Sequence, residues 1–256
     1  MVWTKLTQKR LWPFLTVVLI FLLFPSSAFS EIGFRSDLTF VSRYIWRGFD
    51  TISDDRPAVQ PSITFALGKS GVWLNLWSAV ALSDTDFVEL DLVAGYDKVL
   101  SKEIILSAGV GYFTFPSMSH YPDKNSTSPE AYAGMTANSL PLTPCLTLYY
   151  DFNVGDGLYA TLSLNQSIPV KNKVLCSTFV IGYTTQYQDF EVDPGFSDIC
   201  LGVSTDFGIK SMTLTPSLNY VIVPNNTINH EDEFWVGLTV SWSTHGSTDV
   251  TEGSTD

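Results

Sequence analysis

The chain has 256 residues and a formal net charge of −12; charged residues make up 16% of it, hydrophobic ones 45% and aromatic ones 14%. Soluble domains carry about 25% charge, and nucleic-acid binders need a basic footprint, so this composition excludes a phosphate-backbone partner. The three cysteines, Cys145, Cys176 and Cys200, match no zinc-binding spacing and read as structural thiols.

Residues 1–30 read as a removable leader. Lys5, Lys9 and Arg10 form a basic start, "LWPFLTVVLIFLLF" is the apolar stretch, and Ala28 and Ser30 are small residues suited to cleavage before Glu31. That stretch is short for a membrane-spanning helix, which needs about twenty residues. Its removal takes the net charge from −12 to −15. No later apolar run is long enough to cross a bilayer as a helix. An aromatic-rich exported chain of this kind needs another way to place its apolar surface.

From residue 31 to 242 the chain alternates in segments of about ten to thirteen residues ended by turn residues. The predicted strands are 34–48, 57–67, 72–82, 87–97, 103–115, 129–137, 143–151, 158–167, 173–185, 197–207, 211–222 and 232–242. In the first, Leu38, Phe40, Tyr44 and Trp46 share a face, and Arg43 and Arg47 take the other. In the third, Trp73 and Trp77 fall opposite Val72, Leu74 and Leu76, which leaves its facing open. In the fourth, Leu90, Leu92, Ala94 and Tyr96 oppose Glu89 and Asp91. Pro216 interrupts the eleventh strand and predicts a bulge or a strained ladder, because proline has no N–H to give. The last strand sets Phe234, Val236, Leu238, Val240 and Trp242 against Gly237, Thr239 and Ser241.

Alternation alone fits a soluble β-sandwich or an inside-out membrane barrel. Length separates them: soluble strands usually have five or six residues, whereas tilted membrane strands need about nine to eleven. The connections agree with the second. Long acidic gaps such as "PSMSHYPDKNSTSP" and "PNNTINHEDE" alternate with tight turns such as "GKSG" and "FGIK". Asp50, Asp54, Asp55, Asp84, Asp86, Asp189, Glu191, Asp193, Glu231, Asp232 and Glu233 sit at the long gaps; Lys69, Lys98, Lys102, Lys171, Lys173 and Lys210 sit at the short ones. "SDTD" is short and "DKVLSKE" is long for the pattern. Tyr44, Trp46, Tyr96, Tyr112, Tyr150, Tyr220 and Trp242 lie near strand ends, where interface belts form. The reading is therefore all-β: an antiparallel up-and-down transmembrane barrel of about twelve strands over 31–242, with a polar tail from 243 to 256.

The blocks "VSRYIWRGF", "SDDRPAVQPSI", "GVWLNLWSA", "ELDLVAGY", "GYFTFP" and "PEAYAGM" run in the order found in the TorF family of proposed porins, catalogued as Gcw_chp conserved hypothetical proteins. The sequence resembles that family over roughly residues 36–137, with a looser continuation to 242. The resemblance implies an outer-membrane β-barrel with a channel role, no established substrate and no catalytic residues. Gly237, Val240 and Trp242 look like the signal read by the barrel-assembly machinery, although here a polar tail follows.

With oily residues facing outer-membrane lipid, the lumen would be lined by Arg43, Arg47, Glu89, Asp91, Glu130, Asp198 and Asp206. Opposed charges in a narrow lumen select among small polar solutes; the same charges can instead pair and plug the barrel. Cys145, Cys176 and Cys200 share the lumen parity, with Cys176 and Cys200 at different heights, and are expected as free thiols. The histidines, His120, His230 and His245, lie in loops or the tail, away from any strand serine. No enzyme, cofactor or metal is expected. The expected function is a Gram-negative outer-membrane porin for small polar solutes. A non-conducting structural or binding barrel is the alternative, and a secreted β-sandwich the third reading.

Overall fold

The computed structural model describes residues 32–52, 56–82, 87–115, 127–153, 155–185 and 192–244. The leader, the tail beyond Thr244, and Asp54, Asp55, Asp84, Asp86, His120, Asp189, Glu191 and His245 lie outside the described residues.

The first strand, β1 (Ile32–Val41), is followed by a two-stranded hairpin of β2 (Ile45–Trp46) and β3 (Phe49–Asp50). The wall continues with β4 (Ala58–Leu67), β5 (Val72–Ala81), β6 (Phe87–Val99), β7 (Ile104–Thr114), β8 (Thr127–Ala137) and β9 (Cys145–Asp151). It is completed by β10 (Gly157–Val170), β11 (Lys173–Thr184), β12 (Gly195–Thr205) with its short continuation β13 (Phe207–Ile209), β14 (Met212–Ile222) and β15 (Glu233–Ser243). Sequential neighbours pair antiparallel, β1 pairs with β15, and β12 pairs with β14. The sheet therefore closes into a barrel of twelve long strands. Closure removes the unpaired edges that an open sheet would leave.

One rim carries the start of β1 and the end of β15; it is called the near rim, and its opposite the far rim. Four near-rim turns are tight, 68–71, 100–103, 171–172 and 210–211, and 138–144 is longer. Strand β6 continues to Val99, which shortens the "DKVLSKE" connection that looked too long. The strand ends that lead into the acidic connections lie at the far rim, and Lys69, Lys98, Lys102, Lys171, Lys173 and Lys210 lie at or beside near-rim turns.

The outer surface is apolar. Leu38, Phe40, Leu76, Leu106, Val110, Leu148, Leu162, Leu201, Leu218 and Leu238 are all exposed there. Aromatic groups bracket this band. Phe34, Phe65 and Trp242 cluster near one rim, with centroids 5.6 and 5.3 Å apart. Tyr112, Tyr150, Tyr220 and Phe234 are exposed near the other. Such a surface is unfavourable in water and suited to hydrocarbon with interfacial belts.

The irregularity expected at Pro216 has a place in the ladders. Opposite Pro216, β12 pairing stops at Ser204↔Ser217 and resumes as β13 at Phe207↔Leu214. The missing N–H thus falls in a gap, and Pro216 itself faces outward. Pro61 behaves alike: the β4–β5 ladder skips from Val59↔Val80 to Ser62↔Trp77.

The first strand corrects the sequence reading. It ends at Val41, not residue 48. Tyr44 is buried inside the barrel against Ala58, Ala79 and Ala81, with Trp46 packed on the same cluster. Neither ring faces lipid.

Candidate functional site

The wall is left at Ser42, whose N–H donates to the Val236 carbonyl at 2.9 Å and whose Oγ accepts from the Val236 N–H at 3.0 Å. The chain then turns into the lumen. Ile45 pairs with Asp50 and Trp46 with Phe49, so Arg47 and Gly48 form a two-residue hairpin turn. Their φ angles are 50° and 87°. Positive φ at both centres is the turn whose twist matches a β-hairpin. Glycine accepts it freely, whereas a left-handed arginine costs about 1–2 kcal/mol. The contacts of the Arg47 side chain offset that cost.

The Arg47 guanidinium makes a bidentate pair with Glu130 of β8, at 2.7 and 3.0 Å. Its Cζ lies 4.3 Å from the Trp46 ring centre, 4.7 Å from Tyr149 and 4.4 Å from Tyr159. The two charged side chains are 9% and 6% exposed. Burial on this scale makes geometry decisive, because an unpaired ion here would be costly.

The rest of the hairpin touches the wall around its circumference. Arg43 pairs with Glu233, which also accepts from Asn229 at 3.1 Å. The Tyr44 hydroxyl donates to Glu89 at 2.8 Å, and its ring lies 5.5 Å from Trp77 of β5. Phe49 packs with Tyr159, Val192 and Ile228. Tyr159 and Ser197 donate to Asp198 at 3.0 and 2.6 Å. Gly182 makes room for that group: a Cβ there would stand 2.2 Å from the Asp198 carboxylate. Nearby, Ser128 donates to buried Asp151.

Of the residues singled out from sequence, Arg43, Arg47, Glu89, Glu130 and Asp198 meet in or beside this hairpin assembly. Asp91 is buried on the same wall two residues from Glu89. Asp206 is elsewhere: it is exposed toward the near rim and accepts from Thr215 at 2.5 Å. Glu233, Asp151, Tyr44, Trp46, Tyr149 and Tyr159 were not singled out for this role. The Trp46-Arg47-Gly48-Phe49 turn was the available signal, since a central glycine between strand-forming residues marks a hairpin.

Below the hairpin many of the inward residues are small and polar. Thr39 bonds Thr239 at 2.9 Å, Ser241 donates to Asp37 at 2.5 Å, Asn75 to Thr64 at 2.8 Å and Thr178 to Asn165 at 3.0 Å. Cys145, Cys176 and Cys200 are free thiols on this inner wall. Cys176 is opposite Ser204 and Cys200 opposite Val180, so the two are not cross-strand partners.

A closed antiparallel cylinder with an apolar outside and a charged, polar inside is a transmembrane β-barrel of the outer-membrane type. The model of a bacterial family of unknown function, Gcw_chp, matches residues 26–234, and the chain belongs to that family. Among solved structures, the KdgM porin in complex with disordered oligogalacturonate aligns at a TM-score of 0.51 and 14% identity, over 84% of this chain and 99% of that one. The NanC porin aligns at 0.49 and 10% identity, over 83% and 99%. An outer membrane channel from Pseudomonas putida F1 aligns at 0.47 and 11% identity, over 87% and 100%. At these identities the likeness is one of fold. No curated protein matches the sequence at a significant level.

Proposed function

We propose that the protein is an outer-membrane pore for small polar solutes, with a preference for cations, and that the hairpin within residues 42–52 limits its conductance. One observation carries this reading: on the side of β1, β15, β14, β10 and β11 the inner wall below the hairpin is lined by partly exposed Thr, Ser and Asn side chains, as in a water-filled vestibule, whereas the acidic wall around the hairpin is buried. The cation preference follows from charge. Asp37, Glu89, Asp91, Asp97, Glu130, Asp151, Asp198, Asp206 and Glu233 belong to the interior, against Arg35, Arg43 and Arg47. An acidic lumen enriches cations over anions. The outer-membrane setting, removal of the leader and delivery by the barrel-assembly machinery are part of the same reading, as is the TorF-type porin role. The reading includes no catalytic step.

The second reading is a closed barrel, favoured by the depth at which the Arg47–Glu130 pair is buried. Planar-bilayer recording separates the two. Current steps with a reversal potential of cation sign in a salt gradient support the pore. Protein that shows heat-modifiable gel mobility, and is therefore folded, yet gives no steps supports the closed barrel.

A further inference from the structure

A row of cross-strand neighbours links Trp73 to Gly95, Gly95 to Gly109, Gly109 to Tyr132, Tyr132 to Tyr149 and Tyr149 to Tyr159. All six positions have inward parity. Trp73 is one residue from the near-rim start of β5, and Tyr159 two residues from the far-rim start of β10. Strand tilt therefore turns the row into a ramp that climbs from the near mouth to the hairpin. The two glycines leave bare backbone for the rings to cover. A Cβ on Gly95 would fall 2.3 Å from Cζ2 of Trp73 and 2.6 Å from the Tyr132 hydroxyl; one on Gly109 would fall 2.5 Å from Cε1 of Tyr132. Tyr132 and Tyr149 lie 5.8 Å apart, and Tyr149 and Tyr159 5.9 Å. Carboxylates accompany the rings: Asp97 accepts from the Trp73 indole at 2.9 Å at the bottom, and Glu130 stands at the top.

The top of the ramp already holds a cation. Three π faces and a bidentate carboxylate around Arg47 make a complete receptor for a guanidinium group. We propose that the ramp is a binding path for organic cations that carry guanidinium or alkylammonium groups, with Arg47 as an intramolecular ligand at its innermost station. The inference rests on the pore reading. Neutral sugars also stack on aromatic rings, but they draw nothing from the acidic lumen, and anions are repelled by it.

The test uses the full-length protein with Arg47→Ala, which removes the occupant of the cage; Tyr149, Tyr159 and Glu130 belong to the barrel wall and stay in place whether or not the hairpin remains seated. Methylguanidinium at millimolar concentration, added on the near-rim side, should block the variant's current. Adding Tyr149→Leu should raise the half-blocking concentration about tenfold, as for one lost cation–π contact. Equal block by glucose, or no block of a conducting variant, overturns the inference and leaves the pore standing. Absence of current from wild type and variant alike overturns the pore and the transport path with it. Thermal unfolding reads the cage independently of conduction. Methylguanidinium should raise the melting temperature of the Arg47→Ala protein and leave wild type unchanged; no rise overturns the cage.

Discussion

The far and near halves of this barrel share the same strands and the same inward alternation, yet they are filled in opposite ways. In the far half, Glu89, Glu130, Asp151, Asp198 and Glu233 are buried, and each is hydrogen-bonded to a neighbouring side chain or to the inserted hairpin. In the near half, polar side chains bond their neighbours along the wall and remain half-exposed. A short inserted segment packs the far half of the cylinder and leaves the near half lined by its own wall residues. The energetic consequence is that a polar deletion should be expensive where the partner stays buried and cheap where water can take its place.

The largest effect is expected at the centre of the far half. Glu130→Gln leaves the Arg47 guanidinium buried without its ion-pair partner, a change worth about 3–5 kcal/mol in comparable pairs. The hairpin should unseat, conductance steps should grow, and trypsin should cut after Arg47 in the folded variant while sparing wild type. Resistance to trypsin together with unchanged conductance would show that the hairpin is held by packing alone. Tyr44→Phe comes next. It removes a donor from Glu89, which is 2% exposed, at a cost of about 1–3 kcal/mol. Its readout is a lower urea midpoint for unfolding in detergent. Gly182→Ala is expected to cost about 1–3 kcal/mol by crowding Asp198 and Ser197. That variant should lose stability without any change of charge.

Which parts of this were legible in the sequence follows from the same contrast. Eleven of the twelve wall strands could be placed to within a few residues because the membrane enforces strict alternation over a full span. The first strand could not. "SRYIWRGF" keeps alternating after the chain has left the wall, and a hairpin inside the barrel has the same period of two as a strand of the wall. The clue was the arginine–glycine pair, whose φ angles make a turn. Trp73 and Trp77 are ambiguous to a rule that faces every apolar group outward. Both face inward: Trp77 packs on Tyr44, and Trp73 covers Gly95 and bonds Asp97. An apolar residue on the wrong parity of a barrel strand thus marks the place where something is packed inside. Pairings such as Arg47 with Glu130 lie 83 residues apart in the chain and depend on the register of closure, which alternation does not encode.

The smallest effect should come from the near half, and it is the most useful control. Thr39 and Thr239 bond each other at 2.9 Å across the seam where β1 meets β15. Thr239→Val removes one hydroxyl and leaves the other half-exposed on the inner wall. In a water-filled vestibule, water replaces the lost partner, so the loss should stay within about 1 kcal/mol. Conductance and reversal potential should be unchanged, because no charge is altered and the side chain keeps its volume. A larger drop in the urea midpoint, comparable to that of Tyr44→Phe, would mean that water does not reach Thr39. The near half would then be as dry as the far half, and the contrast on which the pore reading rests would disappear. An unchanged midpoint beside a large Glu130→Gln effect would place the barrier to conduction at the hairpin, where the charges are paired.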